Sequence, residues 1–169
     1  MMVAGLPKTR TNIDAERAQL SEARAALTSI RDRLLVLADQ DTEAYNSVVA
    51  AFRLPKSTDA EKAARKQAIA VGMRSATDIP LETLRTAAEA CAHGKVVAQY
   101  GNPSASSDVR VALELLEASG AGAAANVEVN LTSLDDEAFR KSAASSMIDL
   151  GNQITEAVAV ARAAHLPAP

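Results

Sequence analysis

The chain has 169 residues, 48% of them apolar but only 2% aromatic, and Ala, the best helix former, supplies roughly a fifth of it. That composition excludes an all-β sandwich, which draws on aromatic and β-branched strands with frequent turns. The net charge is −3 and acids and bases alternate along the chain, unlike the basic surface of a nucleic-acid binder, and no apolar run nears the ~18–20 residues that a membrane helix needs.

The length fits one domain over residues 1–169. Residues 1–8 lack the charged-then-apolar order of a signal peptide. One cysteine, Cys91, cannot close an internal disulfide, which fits a reducing, cytoplasmic setting. His93 and His165, even with Cys91, are too few for a usual zinc site.

The first element is long. Residues 14–53 contain neither Gly nor Pro, and Leu20, Ala23, Leu27, Ile30, Leu34 and Leu37 recur in alternating steps of three and four. That is the seam of a helix in a bundle. The same rule, continued, places Asp41 where a hydrophobe belongs, so Asp41 is expected to face inward. A desolvated carboxylate there has a raised pKa and suits proton transfer; an exposed or Arg-paired carboxylate is the plainer reading.

Leu54-Pro55-Lys56 ends this helix, because the residue before Pro is pushed out of the α region. Thr58-Asp59-Ala60-Glu61 reads as a capping box. A second helix is expected to about Thr77, broken by Pro80, and a third from Leu81 to about Tyr100. Gly101-Asn102-Pro103-Ser104 is a loop by composition. Ser106 or Ser107 can cap the next helix at Asp108. Gly120 and Gly122 weaken that helix, and residues 127–131 can form a short strand instead; helix is the better reading, since a lone strand has no partner. Asp135 or Asp136 opens a last helix, with Phe139, Ala143, Met147, Leu150, Ile154, Ala157 and Val158 on one side. The expected fold is an all-α antiparallel helical bundle.

Asn126 and Asn130, four apart, share a helix face. They either bond between helices or grip a polar, planar ligand. Lys56 and Arg65 flank the second helix start, where isolated cations are most often simply solvated. Asn102, Ser107 and Asp108 frame a loop entering a helix N-terminus, a place able to hold an anion, although capping alone explains them. No P-loop, dinucleotide fingerprint, Ser-His-Asp set or paired-Cys metal motif is present.

Taken in order, Asp39-Gln40-Asp41-Thr42-Glu43-Ala44-Tyr45, Leu54-Pro55-Lys56, Arg65, Ile79-Pro80-Leu81, Gly101-Asn102, Ser107-Asp108, Asn126-Val127, Asn130, Asp136 and Phe139 form a pattern. It resembles the cyclodeaminase/cyclohydrolase family, which takes in the cyclodeaminase part of formiminotransferase-cyclodeaminase and stand-alone methenyltetrahydrofolate cyclohydrolases. The resemblance departs at the front. Family members begin with one more helix, introduced by a Thr-Pro-Gly-Gly-Gly-Ser-like stretch, and Met2-Val3-Ala4-Gly5-Leu6 resembles only its tail. An apolar groove is therefore expected beside Leu27, Ile30 and Leu34.

The resemblance implies a folate one-carbon enzyme that works as a homodimer. It would hydrolyse methenyltetrahydrofolate to the formyl form, or cyclise formiminotetrahydrofolate with loss of ammonia, with no metal or redox cofactor. Asp41 would be its proton-transfer residue. Lys56, Arg65, Asn102, Ser107, Asp108, Asn126 and Asn130 would bind the folate, and Asp41, Lys56, Arg65, Asn126 and Asn130 are expected to meet in one pocket. The alternative is a family member impaired in catalysis that serves as a helical oligomerisation or interaction protein.

Overall fold

The structure, a computed structural model, describes residues 1–6 and 13–165. Among the described residues every regular element is helical: α1 (Asp14–Phe52), α2 (Asp59–Tyr100), α3 (Ser106–Leu131) and α4 (Glu137–His165), with short 3-10 turns at Val3–Gly5 and Pro103–Ala105. Each helix runs antiparallel to the next. Val48 of α1 lies against Gly72 of α2, Gly94 of α2 against Leu113 of α3, and Gly120 of α3 against Ile154 of α4. The expected all-α antiparallel bundle is what forms.

α1 follows its seam closely. Ala23, Ile30, Leu37, Ala44 and Ala51, each seven residues from the last, are buried, the repeat that keeps one helix face on its neighbour. α2 is the central helix and packs against α1, α3 and α4. Its middle supplies Leu84, Ala87 and Cys91, which are fully shielded together with Val127 of α3 and Val158 and Ala161 of α4. Burial and the charge of Glu117 push the Cys91 thiol up to about 11. Residues 127–131 are helical, so no strand forms there.

Pro80 does not break α2, contrary to the expectation of two helices; the helix runs unbroken from Asp59 to Tyr100. A helical Pro removes one backbone donor and leaves the carbonyl four residues earlier without its bond. That carbonyl belongs to Ala76, and Asn130 Nδ2 donates to it at 2.7 Å. The cost of the Pro is offset by a side chain from α3.

α3 begins earlier than expected. Asn102 Oδ1 accepts from Ser104 N at 2.9 Å and caps the Pro103–Ala105 turn, which runs directly into α3, so Ser106 and Ser107 lie inside the helix. Gly120 is buried because α4 comes close: a Cβ there would stand 2.5 Å from Ile154 Cδ1. At α4, Asp136 Oδ1 accepts from Phe139 N at 3.0 Å, the capping bond that starts the helix.

The helices differ in length, and this divides the molecule. α3 and α4 meet α2 from about residue 74 onward, so the four-helix body ends there. Beyond it α1 and α2 continue as a two-helix arm, residues 38–71, in which only Ala44 and Ala51 are buried. Tyr45 and Phe52 are more than half exposed on it. No described helix is long and apolar enough to cross a membrane.

Candidate functional site

Where the arm leaves the body, α2 and the α3–α4 turn enclose a groove of about 650 Å³. Its cations are Lys56, Lys62, Arg65, Lys66 and Arg74, facing the carboxylates Asp135 and Asp136. Ile69, Val71, Leu134 and Phe139 supply its apolar wall. Helical spacing explains the cluster. Lys62, Arg65, Lys66 and Ile69 recur at three, four and seven residues, which places them on one side of α2.

Several cations are already oriented. Arg65 donates from Nε and Nη2 to Phe52 O at 3.4 and 3.3 Å and lies over the Phe52 ring at 5.6 Å. It therefore ties off the last turn of α1. Arg74 stacks on Phe139 at 4.1 Å; its Nη1 is 3.3 Å from Asp136 Oδ2 and its Nε 3.9 Å from Asp78 Oδ2. Lys66 Nζ is 3.5 Å from Asp135 Oδ2. These pairs are solvent-accessible, so each is worth little to stability. Their effect is to fix where the cations point. The lining holds five cations and two carboxylates, and Asp59 and Asp78 pair with Lys62 and Arg74 at its edge, which leaves a small positive excess on a chain of net charge −3; such a concavity attracts anions.

Lys56 and Arg65 thus meet as expected, but the five-residue convergence does not form. Asp41, Asn126 and Asn130 are not in the groove lining. Asp41 is exposed, not turned inward. α1 packs chiefly on α2 along its whole length, so only a narrow stripe repeating every seventh residue is fully buried, and the shoulder positions Leu27 and Leu34 are only half-buried. A single neighbour buries a stripe as narrow as Ala44 and Ala51, and Asp41 sits on its shoulder. Asn130 spends its Nδ2 on the Ala76 carbonyl, the interhelical reading of that amide, while Asn126 is exposed. Asn102 is a turn cap. Ser107 is exposed, and Asp108 lines a different cavity.

That second cavity, about 250 Å³, lies between α1 and α3 over α2. Met1, Met2, Val3, Leu27, Val97, Val109, Leu113 and Leu116 make it apolar, with Asp108 at its edge. Of the three residues beside which an apolar groove is expected, only Leu27 lines this cavity; Leu34 is half-buried outside it and Ile30 is covered.

Lys62, Lys66 and Arg74 were not among the expected binding residues. The stripe of cations on the second helix is the signal for the first two. Arg74 is fixed by contacts with Asp136 and Phe139, which no local spacing reveals.

Fold and groove together define an all-α protein with a cationic, aromatic-walled cleft at the root of a two-helix arm. Residues 1–148 match the formiminotransferase-cyclodeaminase family, and the chain belongs to it. Over 132 residues it is 38% identical to methenyltetrahydrofolate cyclohydrolase of Methylorubrum extorquens, covering 78% of this chain and 62% of that protein. It is 34% identical over 109 residues to formimidoyltransferase-cyclodeaminase of Gallus gallus, covering 64% of this chain and 20% of that one. The chain therefore spans less than two thirds of the length of these relatives. The fold matches the crystal structure of formiminotetrahydrofolate cyclodeaminase from Thermotoga maritima with a TM-score of 0.83, at 23% identity, over 96% of this chain and 77% of that one.

Proposed function

We propose that this chain is a folate one-carbon enzyme. It either hydrolyses methenyltetrahydrofolate to formyltetrahydrofolate or cyclises formiminotetrahydrofolate with loss of ammonia. The observation that carries this reading is the family match over residues 1–148, which include every residue lining the cationic groove. Both reactions pass through a tetrahedral carbon between two folate nitrogens, and both require proton transfer at that carbon. In this reading the substrate's carboxylates pair with Lys56, Lys62, Arg65 and Lys66, and Phe139 with Arg74 forms a flat wall for a ring. Asp41 stands in the stretch that carries the family resemblance, but it is exposed and outside the groove lining, so its role in proton transfer rests on the substitution test below. The reading also takes the protein to be a cytoplasmic homodimer that needs no cofactor besides its folate substrate.

The test is an assay of the purified chain with methenyl- and formimino-folate side by side. Turnover of one and not the other assigns the reaction. Replacing Asp41 by Asn should lower turnover ~10²-fold or more, the usual scale for an acid–base residue; near-normal turnover makes Asp41 a surface carboxylate. No turnover of either substrate, together with no folate-induced thermal shift, would sink the enzymatic reading and leave the interaction protein.

A further inference from the structure

The turn between α3 and α4, residues 132–136, is pinned to α2 from both of its ends. On the α3 side Asn130 Nδ2 donates to Ala76 O at 2.7 Å. On the α4 side Asp136 Oδ2 accepts from Arg74 Nη1 at 3.3 Å, and Asp135 Oδ2 stands 3.5 Å from Lys66 Nζ. Between these ties the Leu134 side chain is buried. The turn therefore crosses α2 at a set height, and what it delivers there is Phe139, whose ring has the Arg74 guanidinium over it at 4.1 Å.

One carboxylate sits at the centre of this arrangement. Asp136 divides its two oxygens. Oδ1 accepts from Phe139 N at 3.0 Å and fixes the first turn of α4, which bears the Phe139 ring. Oδ2 holds Arg74, 62 residues away in the chain. The same side chain thus sets both members of the stack, the ring through its backbone and the guanidinium through a charge-assisted bond. Arg74 has a second carboxylate near it, Asp78, but that one is 3.9 Å from Nε and four residues along the same helix. It travels with α2 and carries no information about where the ring is. Arg74 is more than half exposed, and a long, exposed side chain without a fixed partner spreads over many rotamers.

We propose that Asp136 is a positioning residue of the folate site. It locks the Arg74 guanidinium onto Phe139, so that the groove holds a preformed, flat and cationic wall for an electron-rich ring of the substrate, its pterin or aminobenzoate. A wall ordered beforehand needs no ordering when the ring arrives, which strengthens binding. The identity of the ring rests on the folate reading above; the lock is a property of the free protein.

Substitution separates capping from locking. Asp, Asn and Ser rank close together as N-caps. Asp136→Asn and Asp136→Ser should therefore leave the thermal midpoint nearly unchanged while removing the charge that holds Arg74. In the free wild-type chain the Arg74 δ-protons, beside the face of the Phe139 ring, should be shifted upfield in the proton NMR spectrum by the ring current, the signal being assigned by its loss in Arg74→Ala. That shift should collapse in both Asp136 variants and persist in Asp78→Asn. Binding of formyltetrahydrofolate should weaken ~10-fold in Asp136→Asn, and under turnover the loss should fall on KM more than on kcat. On an Arg74→Ala background Asp136→Asn should weaken binding no further. An upfield shift retained in both Asp136 variants, or losses that add in full to that of Arg74→Ala, overturns the proposal. A wild type that shows the shifted Arg74 protons but binds no folate ends the folate reading and leaves the lock established.

Discussion

The body and the arm are built from the same two helices, and they obey different rules. In the body α2 has a helix on three sides, and its seam is filled by Leu81, Leu84, Ala87, Ala88 and Cys91. In the arm α1 and α2 have only each other, and the seam shrinks to Ala44 and Ala51. Each Ala buries far less apolar area than a Leu or Ile, so the arm is held mainly by its continuity with the body. What the arm forgoes in burial it offers as surface. Asp41, Lys56, Lys62, Arg65 and Lys66 are all on it, free of the desolvation cost that a core imposes on charge. The difference teaches that the chemistry-bearing residues of this chain gather where its packing is thinnest, beside a body rigid enough to aim them through Arg74, Asp136 and Phe139.

The sharpest way to break this comparison is to cut the same kind of side chain in both regions. Leu84→Ala, at a position with no exposure, should cost about 3–5 kcal/mol in urea denaturation, the range for a cavity in a closed core. Phe52→Ala in the arm should cost less than about 1 kcal/mol, because Phe52 is more than half exposed and its contact with Arg65 is a surface one. Comparable losses at the two sites would mean that the arm is covered in solution as fully as the body.

A middle-sized effect tests the point where the two regions join. Asn130→Ala strips the Ala76 carbonyl of the donor that replaces the missing Pro80 N–H, and should cost about 1–3 kcal/mol, the penalty of an unsatisfied polar group. Pro80→Ala returns a backbone N–H to that carbonyl. In the Pro80→Ala background the Asn130 substitution should therefore cost much less, giving a coupling energy of about 1 kcal/mol in a double-mutant cycle. Strict additivity would show that Asn130 does not act through the proline.

These results also mark how far the sequence could be read. The seam of α1 is legible because α2 runs beside it throughout, and the seven-residue stripe from Ala23 to Ala51 follows the 3-4 rule at every second step. It misled at Asp41 because spacing reports which way a residue points relative to its own helix, not whether anything stands there to cover it. Pro80 was misread for a similar reason. Local propensity counts the lost bond, while the compensating Asn130 lies far along the chain on another helix. Lys56 and Arg65 were legible as a pair near the second helix start. Arg74 was not, since its position is set by Asp136 and Phe139 across a loop. The family pattern nevertheless contained Pro80, Asn130, Asp136 and Phe139. In the structure Pro80 sits inside α2, Asn130 supplies the donor it lacks, Asp136 caps α4 and Phe139 is a stacking surface.

The smallest expected effect sharpens the comparison at the arm's tip. α2 starts with a complete capping box: Glu61 accepts from Ser57 N and Thr58 N at 2.8 and 2.9 Å, and Thr58 Oγ1 accepts from Glu61 N at 3.2 Å. Those backbone donors hold the Glu61 carboxyl below its usual range. A carboxyl depressed by folding contributes fully above its unfolded pKa, and the contribution is lost as pH falls through the folded one. Acid should therefore loosen the arm's turn before it touches the body. Hydrogen exchange between pH 6 and pH 3, corrected for intrinsic rate, should show Ser57 and Thr58 losing protection while amides around Leu84 keep theirs. Glu61→Gln keeps an accepting oxygen but cannot titrate, so it should flatten that pH dependence at the turn. If the turn and the Leu84 region lose protection together, arm and body open as one unit and the division between them fails.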